Sequence, residues 1–249
     1  MPAQTAVIAQ TAVIAQTAMT AKRAMTAQTA MTTQTAVSNQ ASERRGSRKQ
    51  RNDGERSRGA ILDHAVRLAT LEGLEGLSIG RLADKVGMSK SGLFAHFGSK
   101  EELQLATVEL ATSLFVREVT EPASEAPTGF GRLQSLVARY LRYLEAQTFP
   151  GGCFFASALA EMDTRPGPVR DRLVAFLGDW LAQIEAAILV AQAEGAIAPA
   201  EDVGQLTFEV EAALLFANAQ YVITRTPEPI ERARRAIQSR LDSAVRGAR

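Results

Sequence analysis

Cysteine is almost absent: Cys153 is the single one in 249 residues. That excludes an intrachain disulfide and any cysteine-rich zinc site or iron–sulfur cluster built by one chain, and so little cysteine suits a reducing cytoplasm. Histidine is also scarce, with only His64 and His96 available for metal or acid–base work. No run of about 18 or more residues is continuously apolar, because Gln192 and Glu194, or Asn218 and Gln220, interrupt the best candidates; no membrane span is expected. Strand signals are scarce, and no glycine-rich phosphate loop follows one. Glu161 and Asp163 stand two apart, which on a helix points them to different sides rather than into a carboxylate pair. A Ser or Cys nucleophile needs a base, and neither histidine lies near Cys153 in a fold built from these helices. No catalytic site, metal or cofactor is expected.

What is present is an ordinary globular composition, 46% apolar and 22% charged, long enough for one domain or two small ones with a real core. The net charge of +1 hides an uneven distribution. Residues 1–58 hold nine basic and three acidic side chains, a balance of +6, which leaves −5 on the rest. A basic arm made of Arg44, Arg45, Arg48, Lys49 and Arg51 either meets a polyanion or stays solvated. Ahead of it six hexads run from Gln4 to Asn39 (QTAVIA, QTAVIA, QTAMTA, KRAMTA, QTAMTT, QTAVSN). A stacked hexad solenoid is conceivable, but the unit lacks the large apolar residue and turn glycine each coil needs, and low complexity without aromatics reads as disorder, so residues 1–55 are expected to be disordered. No basic region precedes their apolar stretch, which disfavours a secretory signal, and Met19, Met25 and Met31 within the repeat leave the start codon open.

From 56 onward the chain reads as helix. Ile61, Leu62, Ala65, Leu68 and Ala69 form the stripe of a first amphipathic helix, ended by Gly73. Ser78 caps a short second helix carrying Ile79, Leu82, Ala83 and Val86, and Gly87 ends it. Ser89 caps a third, Lys90 to His96, with Leu93 and Phe97 inward and Lys90, Ser91, Gly92 and Phe94 facing away. Ser99 with Glu102 makes a capping box for a fourth helix through Leu103, Ala106, Leu110 and Leu114.

Two short helices joined at a glycine, behind a longer one, form a helix-turn-helix, whose second member enters the DNA major groove. Small residues on the outer face of the third helix allow close approach. Lys90 and Ser91 can reach base edges, with Ser78, His96 and Lys100 placed for phosphates. The stretch LSIGRLADKVGMSKSGLFAHFGSKEEL, Leu77 to Leu103, resembles the DNA-binding domain of the TetR/AcrR family of bacterial regulators. The resemblance is close from about Arg58 to Leu110 and architectural beyond. It implies an all-α homodimeric repressor: a three-helix DNA-binding head (56–103), then a helical ligand-binding and dimerisation bundle (104–249) whose small-molecule inducer spreads the heads on a palindromic operator. Ser89, Gly92 and Phe94 join the DNA-facing set; Phe94 stands where the family usually has Tyr, so a phosphate-binding hydroxyl is missing.

In the bundle, a linker is expected over Pro122–Thr128, followed by helices from Gly129 to Gln147, Cys153 to Met162, Pro168 to about Glu194 (with Leu173, Phe176, Leu177, Trp180, Leu181, Ile184, Ile188 and Leu189 on its apolar side), Val203 to Thr224 and Glu228 to Val245. A pocket between them would be apolar with a few polar groups. Its candidates are Tyr140, Tyr143, Phe149, Cys153, Phe154, Met162, Trp180 and Phe208, any one of which fits a plain core position equally well. By the resemblance, the last two helices pair with their symmetry mates, through Ala213, Phe216, Ala217 and Gln220 with Ala233, Ile237 and Leu241. The alternative is a helical ligand-binding or scaffolding module that no longer reads DNA.

Overall fold

The computed structural model describes residues 54–246. The chain divides into two units, Met1–Ser57 and Arg58–Arg249, the second of them compact. Of the first, residues 54–57 are described and are helical; the hexads and Arg44, Arg45, Arg48, Lys49 and Arg51 lie outside the described residues. The described chain is all-helical, with no strand among the described residues. Helix α1 occupies 54–72, so helix begins slightly before the boundary expected at 56.

Three serines set the register of the helices that follow. Ser78 Oγ accepts from the Arg81 amide at 3.2 Å ahead of α2 (Ile79–Val86), Ser89 Oγ from Gly92 at 3.1 Å ahead of α3 (Lys90–Phe97), and Ser99 Oγ from Glu102 at 3.0 Å ahead of α4 (Lys100–Phe115). Each satisfies a first-turn amide that has no partner within its helix. Gly87 takes φ +68, a left-handed conformation that glycine adopts without strain, and turns the chain between α2 and α3. Ile61, Ala65, Ala69, Leu82, Ala83, Leu93 and Phe97 are buried there, as their spacing predicts, together with Leu77, whereas Leu62, Leu68, Ile79 and Val86 are half-buried.

Helix α4 departs from its predicted stripe. Leu103, Thr107, Val108, Ala111 and Phe115 are buried, whereas Ala106, Leu110 and Leu114 are half-buried at its edge. The reason is that α4 packs against α3 and also against α8, so its buried face is set by two neighbours. The linker expected over Pro122–Thr128 is outside helix from 124 to 128, but helix runs into its start: a π-helical turn, Val116–Thr120, leads into α5 (Glu121–Ala123). Pro122 sits in the first turn of α5, where its missing N–H costs nothing.

The bundle comprises α6 (Gly129–Glu145), α7 (Phe154–Met162), α8 (Pro168–Ala193), α9 (Val203–Thr224) and α10 (Glu228–Arg246). Helix α8 touches α4, α6, α7 and α9, while α10 packs on α9 and α6. By length and composition alone α8 is apolar enough to cross a membrane, against the expectation that polar interruptions preclude such a span. It is instead the central helix of the bundle, with Leu173, Phe176, Trp180, Ile184 and Ile188 buried. Leu189, expected on that side, is exposed.

Candidate functional site

Two features stand out in the compact unit: the outer face of α3 and a cavity in the bundle. On α3, Lys90, Ser91 and Phe94 are exposed and Gly92 is half-buried, while Leu93 and Phe97 anchor the opposite face. The Lys90 stem lies over Gly80 of α2, where an added Cβ would come within 3.2 Å of Lys90 Cε. Ser89 and Ser91 hydroxyls are 3.3 Å apart, so the first turn presents a compact cluster of hydroxyls and one ammonium.

The flanking residues are less free than their sequence positions imply. Lys100 is held by Glu75, donating to its backbone carbonyl at 2.6 Å and pairing with its carboxylate; that contact, first of all, holds the Glu75 carboxyl below the usual range. His96 is half-buried at the edge of Phe97. Arg58 donates to the His96 carbonyl and stacks over the Phe97 ring at 4.4 Å. It therefore ties α1 to the end of α3.

In the bundle, a cavity of about 790 Å³ lies among α4, α6, α7, α8 and α9, within the range of small-molecule sites. Tyr140, Cys153, Trp180 and Phe208 line it as expected. Tyr143, Phe149, Phe154 and Met162 do not; they are buried in the surrounding core. Phe115, Phe155 and Phe176, unexpected from sequence, complete the aromatic wall, and α9 adds Thr207, Glu211 and Asn218. Burial pushes the Tyr140 phenol well above its usual value and also raises the Cys153 thiol, which leaves that cysteine an unreactive wall residue. The Asn218 side-chain oxygen accepts from the Cys153 amide at 2.8 Å.

Glu211 is the anomaly of this wall. Burial raises its carboxyl to about 6, although the Trp180 indole N–H donates to it at 2.7 Å. A carboxyl raised in the folded state supports folding below its unfolded value of 4.5 and loses that support as pH rises through about 6. Glu211→Gln, which keeps an acceptor for Trp180, is therefore expected to stabilise the fold by about 2 kcal/mol near pH 8 and not at all near pH 4. Urea unfolding at both pH values measures this; a variant less stable than the parent near pH 8 would contradict it.

One residue joins the two features. Glu161, near the end of α7, accepts from the Leu74 amide at 2.6 Å and the Glu75 amide at 2.9 Å, in the turn between α1 and α2. Its neighbours Ala156, Ser157, Leu159 and Ala160 line the cavity. The turn is gripped from the other side by Gln104 of α4, which donates to the Leu74 carbonyl at 2.9 Å. Just before α7, Gly151 lies against the end of α1: its amide donates to Thr70 Oγ1, and a Cβ would come within 1.8 Å of the Thr70 carbonyl oxygen. No local pattern announces Glu161, because its partners are more than 80 residues away.

The residues expected at a subunit interface divide by burial. Phe216 is exposed and Ala213 and Gln220 are half-buried, but Ala217, Ile237 and Leu241, with Ala233, are buried within the protomer. These four face inward because α9 and α10 pack on each other along that side. The outward stripe of α9 is formed by Phe208, Leu215, Phe216 and Ile223.

Residues 61–107 match the family model described as bacterial regulatory proteins, tetR family, and residues 129–237 match that of the tetracyclin repressor-like C-terminal domain. The HTH-type transcriptional activator FasR of Mycolicibacterium smegmatis is 29% identical over 102 residues. The match covers 41% of this chain and 45% of that protein, so the chain spans less than half the length of this relative. Among solved structures, a TetR transcriptional regulator from Chloroflexus aurantiacus superposes with a TM-score of 0.73 at 23% identity, over 78% of this chain and 98% of that one. AibR, solved with isovaleryl coenzyme A and operator DNA, gives 0.60 at 22%, over 76% and 97%. At these identities the likeness is one of fold.

Proposed function

The chain belongs to the TetR family of bacterial transcriptional regulators, and from that premise we propose that it is a homodimeric repressor released from a palindromic operator by a small molecule bound in the bundle cavity. The observation that carries this reading is the direct link between cavity and head: α7 lines the one and, through Glu161, holds the turn that leads into the other. A ligand that displaces α7 moves that turn, and with it α2 and α3. A coupling of about 1–3 kcal/mol between the two sites weakens operator binding roughly 5- to 150-fold.

On DNA, the first turn of α3 enters the major groove, with Lys90 and Ser91 at base edges and Ser78, Ser89, Gly92, Phe94 and His96 along the backbone. The two heads of a dimer then sit about 34–36 Å apart. Lys100, paired with Glu75, contributes less phosphate binding than its position suggests. The basic arm adds a salt-dependent, sequence-tolerant term. The outward stripe of α9 supplies the apolar surface for a second copy, and because Phe208, Leu215 and Ile223 also line the cavity, pairing would close its rim.

Selection of bound sequences from a random duplex pool by the full-length protein, at about 150 mM salt, tests the reading. An enriched palindrome is expected; binding without enrichment would favour the module that no longer reads DNA. On the selected operator, Lys90→Ala is expected to cost about 1–3 kcal/mol and to relax preference at one position. A loss equal on all duplexes would move Lys90 to the phosphate contacts. The activator name of FasR favours a second reading, with activation in place of repression. A reporter behind the selected operator separates the two, since only a repressor lowers its expression.

A further inference from the structure

The cavity wall is mostly apolar and aromatic, and its charged side chains are acidic. Phe115, Tyr140, Phe155, Phe176 and Trp180 form the aromatic part. Facing them, α9 carries Thr207 and Glu211, one helical turn apart and both on the lining. Glu211 is fixed by the Trp180 indole N–H at 2.7 Å. The Thr207 hydroxyl is buried, with the residue 3% exposed, and has no hydrogen-bond partner among the described residues. Glu185 is the other ionisable carboxylate on the lining, and no Lys, Arg or His is among the described lining residues.

Such a wall favours one class of occupant. A carboxylate taken out of water is costly unless an opposite charge or several donors reach it, and here a single N–H is seen to do so. A cation brought beside Glu211 would supply the missing charge within a wall rich in aromatic rings, whose quadrupoles favour a cation over an anion. A donor on the same ligand would satisfy Thr207. An anion would meet Glu211 and, more weakly, the exposed Glu185, with no counter-charge. We propose that the ligand of this cavity is a lipophilic cation: an aromatic or bulky apolar body, packed on the aromatic wall, whose positive charge is held by Glu211. This rests on the reading of the cavity as the ligand site and adds the ligand's charge. It sets this cavity apart from a site for a polyanionic coenzyme A thioester such as the one bound by AibR.

Tetraphenylphosphonium and tetraphenylborate test it, because they share shape and apolar surface and differ in the sign of charge. Binding to the full-length protein is followed by the emission of Trp180, the only tryptophan, and by calorimetry. The cation is expected to bind at least about tenfold more tightly than the anion, and Glu211→Gln to remove most of that preference. Asp179→Asn, an exposed charge on α8 outside the cavity, is expected to change affinity less than about twofold. Equal or tighter binding of the borate, an unchanged preference in Glu211→Gln, or no binding of the phosphonium would each overturn the proposal. Operator binding measured alongside keeps the two readings apart. If the borate or isovaleryl coenzyme A binds and weakens operator affinity, the regulator reading stands while the cationic ligand falls. If the phosphonium binds through Glu211 without affecting operator affinity, the ligand class stands and regulation through this cavity falls.

Discussion

Phe115→Ala is expected to destabilise the protein by about 3–5 kcal/mol, lowering the melting temperature by roughly 6–20 °C. The ring is 1% exposed and stands edge-on to five others, with centroids at 5.1 Å from Phe176, 5.2 Å from Trp180, 5.7 Å from Tyr143, 5.9 Å from Phe155 and 6.2 Å from Tyr140. Edge-to-face pairs of this kind add about 0.5–1.5 kcal/mol each beyond area burial. Phe115 is the last residue of α4, while its partners come from α6, α7 and α8, so its ring packs the end of α4 against three helices of the bundle. The void left by truncation opens into the existing cavity, where water can relieve part of the cost, which places the loss toward the lower end of the range. Chemical unfolding followed by circular dichroism measures it. A loss below about 1 kcal/mol would mean that the cluster fills space without holding α4.

Glu161→Ala is expected to leave operator binding within a few-fold of the parent and to abolish its dependence on the cavity. Hydrogen bonds from backbone amides to a carboxylate are worth about 1.5–3 kcal/mol each, and Glu161 accepts two from the α1–α2 turn. Without them the turn is still held to α4 by Gln104 and by Lys100 through Glu75, so the head keeps its shape. What is lost is the connection to α7. Amide exchange at Leu74 and Glu75 is expected to accelerate, and the effect of tetraphenylphosphonium on operator affinity, read by anisotropy of a labelled duplex, to fall toward one. Full retention of that effect would show that coupling runs by another path, such as the contact of Gly151 with Thr70.

The head was legible because its determinants are local. Ser78, Ser89 and Ser99 bond amides three residues on, and Gly87 turns the chain by its own conformation. The bundle was legible as helices but not as surfaces. Helix α9 is apolar on two sides: Leu206, Val210, Leu214, Ala217 and Tyr221 face inward and Phe208, Leu215, Phe216 and Ile223 outward. Periodicity identifies a buried face but not its partner, which is why Ala217, Ile237 and Leu241 read as interface and proved to be core. The same ambiguity put Tyr143, Phe149, Phe154 and Met162 on the cavity and left Phe115, Phe155 and Phe176 off it. Pro122 read as a linker because proline interrupts a helix, yet it sits where a new helical turn begins. Glu161 and Glu211 act through partners distant in sequence, and neither belongs to a motif that spacing reveals.

If one molecule reads DNA with α3 and couples that face to its cavity, operator binding changes the emission of Trp180 on the cavity wall. The full-length protein is titrated with the selected operator and with a scrambled duplex of equal length at about 150 mM salt. A saturable change is expected with the operator and none with the scrambled duplex, because coupling between two sites is reciprocal, and the change is expected to be lost in Glu161→Ala. Operator bound at the same concentrations, as seen by anisotropy of the labelled duplex, with Trp180 emission unmoved would contradict that coupling.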